Sequence, residues 1–124
     1  MKTFNNILAI ETSGPICSIA LRSEKRIESA CSKNENEHGL VILNFIEKLL
    51  KKSGLKKNEL DLIAISNGPG SFTGLRVANS VAQALAFANN IPLLPISSLA
   101  VLANQASIKL EKNRIFVIVN AHMK

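Results

Sequence analysis

Glu11, Thr12 and Ser13 follow directly on the apolar run Ile7-Leu8-Ala9-Ile10. A carboxylate and two hydroxyls at the C-terminal end of a buried strand stand where open α/β sheets bind ligands. The carboxylate can hold a metal-bound water or orient the magnesium of a phosphate, and Thr12 and Ser13 can donate to phosphate oxygens. A second such segment, Asn67-Gly68-Pro69-Gly70-Ser71-Phe72-Thr73-Gly74, joins a short apolar run to an alanine-rich stretch. Gly68, Gly70 and Gly74 permit tight turns, and backbone amides ahead of a helix N-terminus point at an anion. The spacing is not GxxxxGK, so the specific P-loop signal is absent. Each segment also has a plainer reading. Glu11 can cap local amides or meet a lysine; the glycines can serve only a sharp strand-to-helix turn, with Ser71 or Thr73 as N-cap. Arg76, in the first turn of the following helix, is disfavoured by the helix dipole and can reach an anion or a partner's carboxylate.

Nothing else completes a catalytic set. His38 and His122 are too isolated to pair on a metal, and Asp61 is the only aspartate. Paired acid and base work is therefore poorly supported. Cys17 and Cys31 form neither a CxxC nor a disulfide framework. In a hairpin turning near Glu24 they fall nearly opposite each other, but two reduced, buried thiols is the simpler expectation. Fifteen basic against nine acidic residues give a net charge of +6, spread over predicted turns and helix ends. Scattered cations read as solvated faces more than as a nucleic-acid footprint. The chain has no Tyr or Trp to stack bases, which further weakens a dedicated single-strand reader. No apolar run reaches the roughly 18 residues a membrane helix needs. The start, Met1 to Thr12, is too short and too soon interrupted for a signal peptide, so a cytoplasmic protein is expected.

These segments need a frame to hold them. Residues 7–11, 16–22 and 26–32 read as three strands, the last with Ile27, Cys31 and Ala30 as its apolar members. Three strands before any helix exclude a simple Rossmann start. Asn34 and Glu37 resemble a capping box ahead of an amphipathic helix over about 38–52. Its stripe of Leu40, Leu43, Ile46, Leu49 and Leu50 is widened by Val41, Ile42 and Phe45. Lys51 and Lys52 suit its C-terminus, with Gly54 as a left-handed cap. Residues 62–66 read as a buried strand and 73–89 as an alanine-rich helix ending at Asn89, Asn90 and Pro92. A short strand at 93–96, a helix from Ser98 to about Ala106 capped by Ser97, and a last strand at 114–120 complete the order. The fold class is α/β, a mixed sheet with flanking helices, in one domain. A helix face as wide as that of 38–52 asks for burial on two sides, against the sheet and against a partner.

The motifs ILAIETS (7–13), CSIAL (17–21), SNGPGSFTGLRVANSVAQALA (66–86) and IPLLPISSLAVLA (91–103), with His38 and its apolar helix, resemble the bacterial TsaB (YeaZ) family. That family belongs to the tRNA threonylcarbamoyladenosine pathway. GPGSFTGLR is highly specific in this context, and the resemblance runs along essentially the whole chain. It implies a ribonuclease H-like half-domain of the actin-like ATPase superfamily, in the order βββαβαβα. Residues 1–124 would be the N-terminal subdomain, with the family's second subdomain essentially absent. It further implies a non-catalytic partner that binds and stabilises TsaD, joined by TsaE. That assembly forms N6-threonylcarbamoyladenosine next to the tRNA anticodon, and tRNA is met only through the complex. TsaD carries an HxxxH metal pair; the matching positions here hold Ser98 and Leu102, neither of which replaces an imidazole ligand. The resemblance thus implies no metal and no cofactor, with Glu11, Thr12, Ser13, Gly68, Gly70, Ser71, Thr73 and Gly74 as a vestigial phosphate site. The family's interface helices match 38–52 and 73–88, so Leu40, Leu43, Phe45, Ile46, Leu50, Arg76, Val77 and Val81 are the expected partner surface, which also supports a homodimer. The alternative is an ATPase or phosphotransferase using Glu11 and the Gly68–Gly74 turn.

Overall fold

Strict alternation in the first strands decides which way the sheet faces. In the computed structural model, which describes residues 3–24 and 26–120, β1 (Ile7–Glu11) and β2 (Ser18–Ser23) bury every second side chain. β3 (Arg26–Cys31) returns beside β2. Then follow α1 (His38–Ser53), a 3-10 turn (Lys57–Glu59), β4 (Leu62–Ser66), α2 (Phe72–Asn89), β5 (Leu93–Ile96) and α3 (Ser98–Leu110). The sheet order is β3-β2-β1-β4-β5. The three hairpin-linked strands are antiparallel, whereas β1, β4 and β5 run parallel. This is the expected mixed α/β sheet with flanking helices.

Register puts Leu8 between Leu21 and Ile63, and Ile10 between Ile19 and Ile65. These six side chains form one buried layer, covered by α1 over β2 and β3 and by α2 over β1, β4 and β5. α1 contributes Ile42, Ile46, Leu49 and Leu50, spaced to lie on one helical face. α2 contributes Gly74, Ala78 and Ala82 at four-residue intervals, so its backbone approaches closely. Gly54 caps α1 in the left-handed conformation, as read from sequence, with Lys51 and Lys52 in the last turn. The other sheet face stays open. Ala9, Ala20, Ser29 and Ala64 floor a groove of about 340 Å³, bordered by Ile96 and by Val101 of α3.

Several local expectations change. The 114–120 segment is not a strand; neither open edge of the sheet pairs with it. Phe116 and Ile118 point into solvent. In β3 the inward residues are Glu28 and Ala30, while Ile27 and Cys31 are exposed. Only an edge strand tolerates that arrangement. Cys31 lies opposite Ser18, not Cys17, and Cys17 O instead accepts from Ser32 N at 2.8 Å. A one-residue offset puts side chains on opposite faces, so Cys17 is buried and Cys31 exposed, both free. Asn34 and Glu37 do not form a capping box: the Asn34 amide donates to the Glu37 carboxylate, and Glu37 is an N-cap without a side-chain cap bond. α3 runs four residues past Ala106, and Ser97 holds the N-cap position without a side-chain bond. His122 lies outside the described residues.

Candidate functional site

The two sequence segments singled out for phosphate do come together. Glu11 ends β1, and the chain turns through Thr12, Ser13 and Gly14 against the start of α2. Ser71 N donates to Ser13 O at 2.7 Å. Thr12 is fully buried, and its hydroxyl donates to Gly74 O at 2.8 Å. A Cβ on Gly70 would run into Ser13 O and Cβ, and one on Gly74 into Thr12 O and the His38 ring. Glycine at these two places is therefore what lets the β1 turn lie on the α2 N-terminus. Gly68, at φ +102°, opens that turn in a conformation other residues avoid.

The polar groups at this junction are largely engaged with one another. Glu11 Oε1 accepts from Ser13 N at 2.6 Å and from Ser66 Oγ at 2.8 Å. Ser71 is the N-cap of α2 and accepts from Gly74 N at 3.1 Å; Thr73 lies inside the first turn. Thr12 spends its one hydroxyl proton on a carbonyl, so it is not free to donate to a phosphate as the structure stands. The plainer reading of Glu11 as a cap for local amides matches these contacts.

Two residues in the junction carry more weight than their sequence context suggested. His38 opens α1, is buried, and places Nε2 3.0 Å from Gly14 O. With the proton on Nε2 it donates there and leaves Nδ1 as a buried acceptor without a hydrogen-bond partner among the described residues. It ties α1, the β1–β2 turn and Gly74 of α2 together. Ser66, the last residue of β4, holds Glu11 from the neighbouring strand. The signal available for Ser66 was a polar side chain closing an otherwise apolar buried strand. Ser98 is buried at the start of α3, its backbone N–H donating to Gly68 O at 2.9 Å and its hydroxyl without a partner among the described residues. Leu102, four residues on, is exposed.

The expected partner surface divides in two. Leu40 and Leu43 are 78% and 56% exposed, with Phe45 half-buried beside the core. Ile46 and Leu50 belong to the buried layer beneath α1. On α2, Val77 and Val81 are half-buried against the core, and Arg76 is exposed with its guanidinium carbon 4.0 Å from the Phe72 ring centroid. No group of three or more metal-ligating side chains is assembled among the described residues, and none of their helices is long and apolar enough to cross a membrane.

The family model described as TsaD, tRNA N6-adenosine threonylcarbamoyltransferase, matches residues 31–124. The tRNA threonylcarbamoyladenosine biosynthesis protein TsaB of Buchnera aphidicola from Schizaphis graminum is 41% identical over 93% of this chain and 55% of its own length. TsaB of Haemophilus influenzae is 38% identical over 94% of this chain and 50% of its own. The solved structure of YeaZ from Pseudomonas aeruginosa superposes with a TM-score of 0.80 at 38% identity, covering 86% of this chain and 52% of that one. The chain thus spans about half the length of the relatives it matches, and its sheet and helices are those of the actin-like ATPase type of fold expected from its motifs. The chain belongs to the family this model describes, and its curated relatives and solved neighbours place it with the TsaB (YeaZ) proteins.

Proposed function

We propose that this chain is a non-catalytic partner subunit that binds and stabilises TsaD, with TsaE joining, in the cytoplasmic assembly that forms N6-threonylcarbamoyladenosine in tRNA. On this reading residues 1–124 act as the N-terminal subdomain of a TsaB-type protein, and tRNA is met only through the complex. The observation that carries it is the exposed pair Leu40 and Leu43 on α1, beside half-buried Phe45, in a chain whose relatives are named for this pathway. Apolar side chains left outside on a helix whose other face is already packed are suited to helix-on-helix association. The engaged polar groups around Glu11 and Thr12 favour a scaffold over a phosphate-handling centre.

Calorimetric titration of the folded chain with TsaD tests this. Saturable binding is expected, and Leu43→Glu weakens it at least roughly tenfold, the loss of about 1.4 kcal/mol, while thermal stability stays near wild type because Leu43 is outside the core. Absence of binding by folded wild-type protein, or unchanged binding by Leu43→Glu, counts against the proposal.

A further inference from the structure

A second concavity lies on the helix side of the β5 edge. It is a groove of about 340 Å³ whose walls include Leu75, Leu93 and the Phe72 ring, with Asn67, Arg76 and Asn79 as its polar groups. The volume is at the small end of ligand pockets. Its charge is one-sided. Arg76 brings only donors, and its guanidinium is spread over the Phe72 ring. Asn79 already accepts through Oδ1 from Gln83 Nε2 at 2.9 Å, which leaves its NH2 to donate. Ser66 Oγ donates away from the groove to Glu11. None of the described lining residues is acidic, and the first turn of α2 holds no acid. A cation without a counter-charge, next to a spare amide donor and an apolar wall, asks for an acceptor-rich anion attached to an apolar body.

The geometry points to this α2–β5 groove as a binding site for a small oxyanion, phosphate or carboxylate, carried on a flat apolar group. The anion accepts from the in-plane N–H edge of the Arg76 guanidinium and from Asn79 Nδ2, and the apolar body lies on Leu75 and Leu93. The groove borders the Glu11 junction through Ser66 and draws on Arg76 of the expected partner surface, so it is tested on the chain without TsaD, where its failure is separate from failure of TsaD binding.

Four probes separate the components: phenyl phosphate and benzoate carry both parts, inorganic phosphate only the anion, and benzyl alcohol only the ring. Titration followed by two-dimensional NMR on the full chain is expected to show phenyl phosphate or benzoate binding at least roughly tenfold more tightly than either half-ligand. The same ligand shifts the side-chain amide signals of Asn67 and Asn79. Which of the two binds more tightly assigns the source as phosphate or carboxylate. Arg76→Gln loses at least about tenfold, whereas Arg114→Gln, an equal change of net charge elsewhere, does not. Equal binding of benzyl alcohol, equal loss in both arginine variants, or shifts that avoid Asn67 and Asn79 overturns the site. The wild-type shifts decide the matter even if a variant fails to fold.

Discussion

Gly74 and Gly14 give opposite answers to the same substitution. A methyl group on Gly74 meets the Thr12 carbonyl and the His38 ring, whereas one on Gly14 meets nothing within 4 Å. The neighbours of Gly74 are backbone and a buried ring, which cannot step aside cheaply. Gly74→Ala is expected to cost more than about 2 kcal/mol, in the range of overpacked cores, and Gly14→Ala less than about 0.5 kcal/mol. Urea unfolding midpoints of the two variants check the contrast, and equal midpoints would refute it. Cys17 supplies a pH test at the same scale. Burial pushes its thiol from an ordinary 9.0 up to about 11. The unfolded chain therefore releases this proton at lower pH than the folded one. The contribution is whole below about pH 9 and is lost as pH rises toward 11. The difference in stability between wild type and Cys17→Ala should shrink over that window, and a constant difference would show that the thiol does not ionise on unfolding.

Among the elements, the existence of each helix and paired strand was legible, while the facing of an edge strand and the fate of an unpaired apolar run were not. β1 and β4 read correctly because their apolar runs are central strands, buried by neighbours on both edges. α1 and α2 read correctly because their spacing and caps agree with the layer they cover. The face of β3 was misread because an edge strand faces a helix with Glu28, a residue that reaches Lys52 at 2.6 Å, and turns Ile27 outward. Residues 114–120 have strand composition, yet a strand needs another strand to accept its hydrogen bonds. The Glu11–Gly74 junction was legible in location because its turn chemistry is local. The roles of His38 and Ser66 were not, since they depend on contacts 24 and 55 residues away. Hydrogen exchange separates the two kinds of segment. Amides of Ile63 to Ile65 should be protected close to the global limit, and those of 115–119 should exchange near the unprotected rate. Comparable protection in both would mean that 114–120 is paired in solution.

At the level of the whole molecule, the apolar surface left outside among the described residues includes three regions large enough to matter for association. Leu40 and Leu43 lie outside on α1; the alanine-floored groove opens on the uncovered sheet face; and Ile108, Leu110, Phe116 and Ile118 extend from α3 into the last described segment. α3 buries only Ser98 fully, although its first ten residues carry no charge. Its Leu99, Val101, Ala103 and Ala106 are only half-buried and Leu102 is exposed, and apolar patches of this kind mark interfaces. Against association stands a net charge of +6, whose repulsion is screened beyond roughly 8 Å at physiological salt. Self-association should therefore strengthen with salt, opposite to what a charge-driven contact would show. Light scattering over a concentration series at low and moderate salt is expected to give a dimer or larger species that grows with both variables. The α1 surface and the α3 region are told apart by charge insertion. If Leu43→Glu yields folded monomers, α1 is the contact and the surface proposed for TsaD is occupied in the isolated chain. If Ile108→Glu does so and Leu43→Glu does not, α3 and the open sheet face are the contact, and α1 remains free for a partner. A strict monomer at every concentration and salt would remove the association argument altogether, leaving TsaD titration as the sole test of the α1 surface.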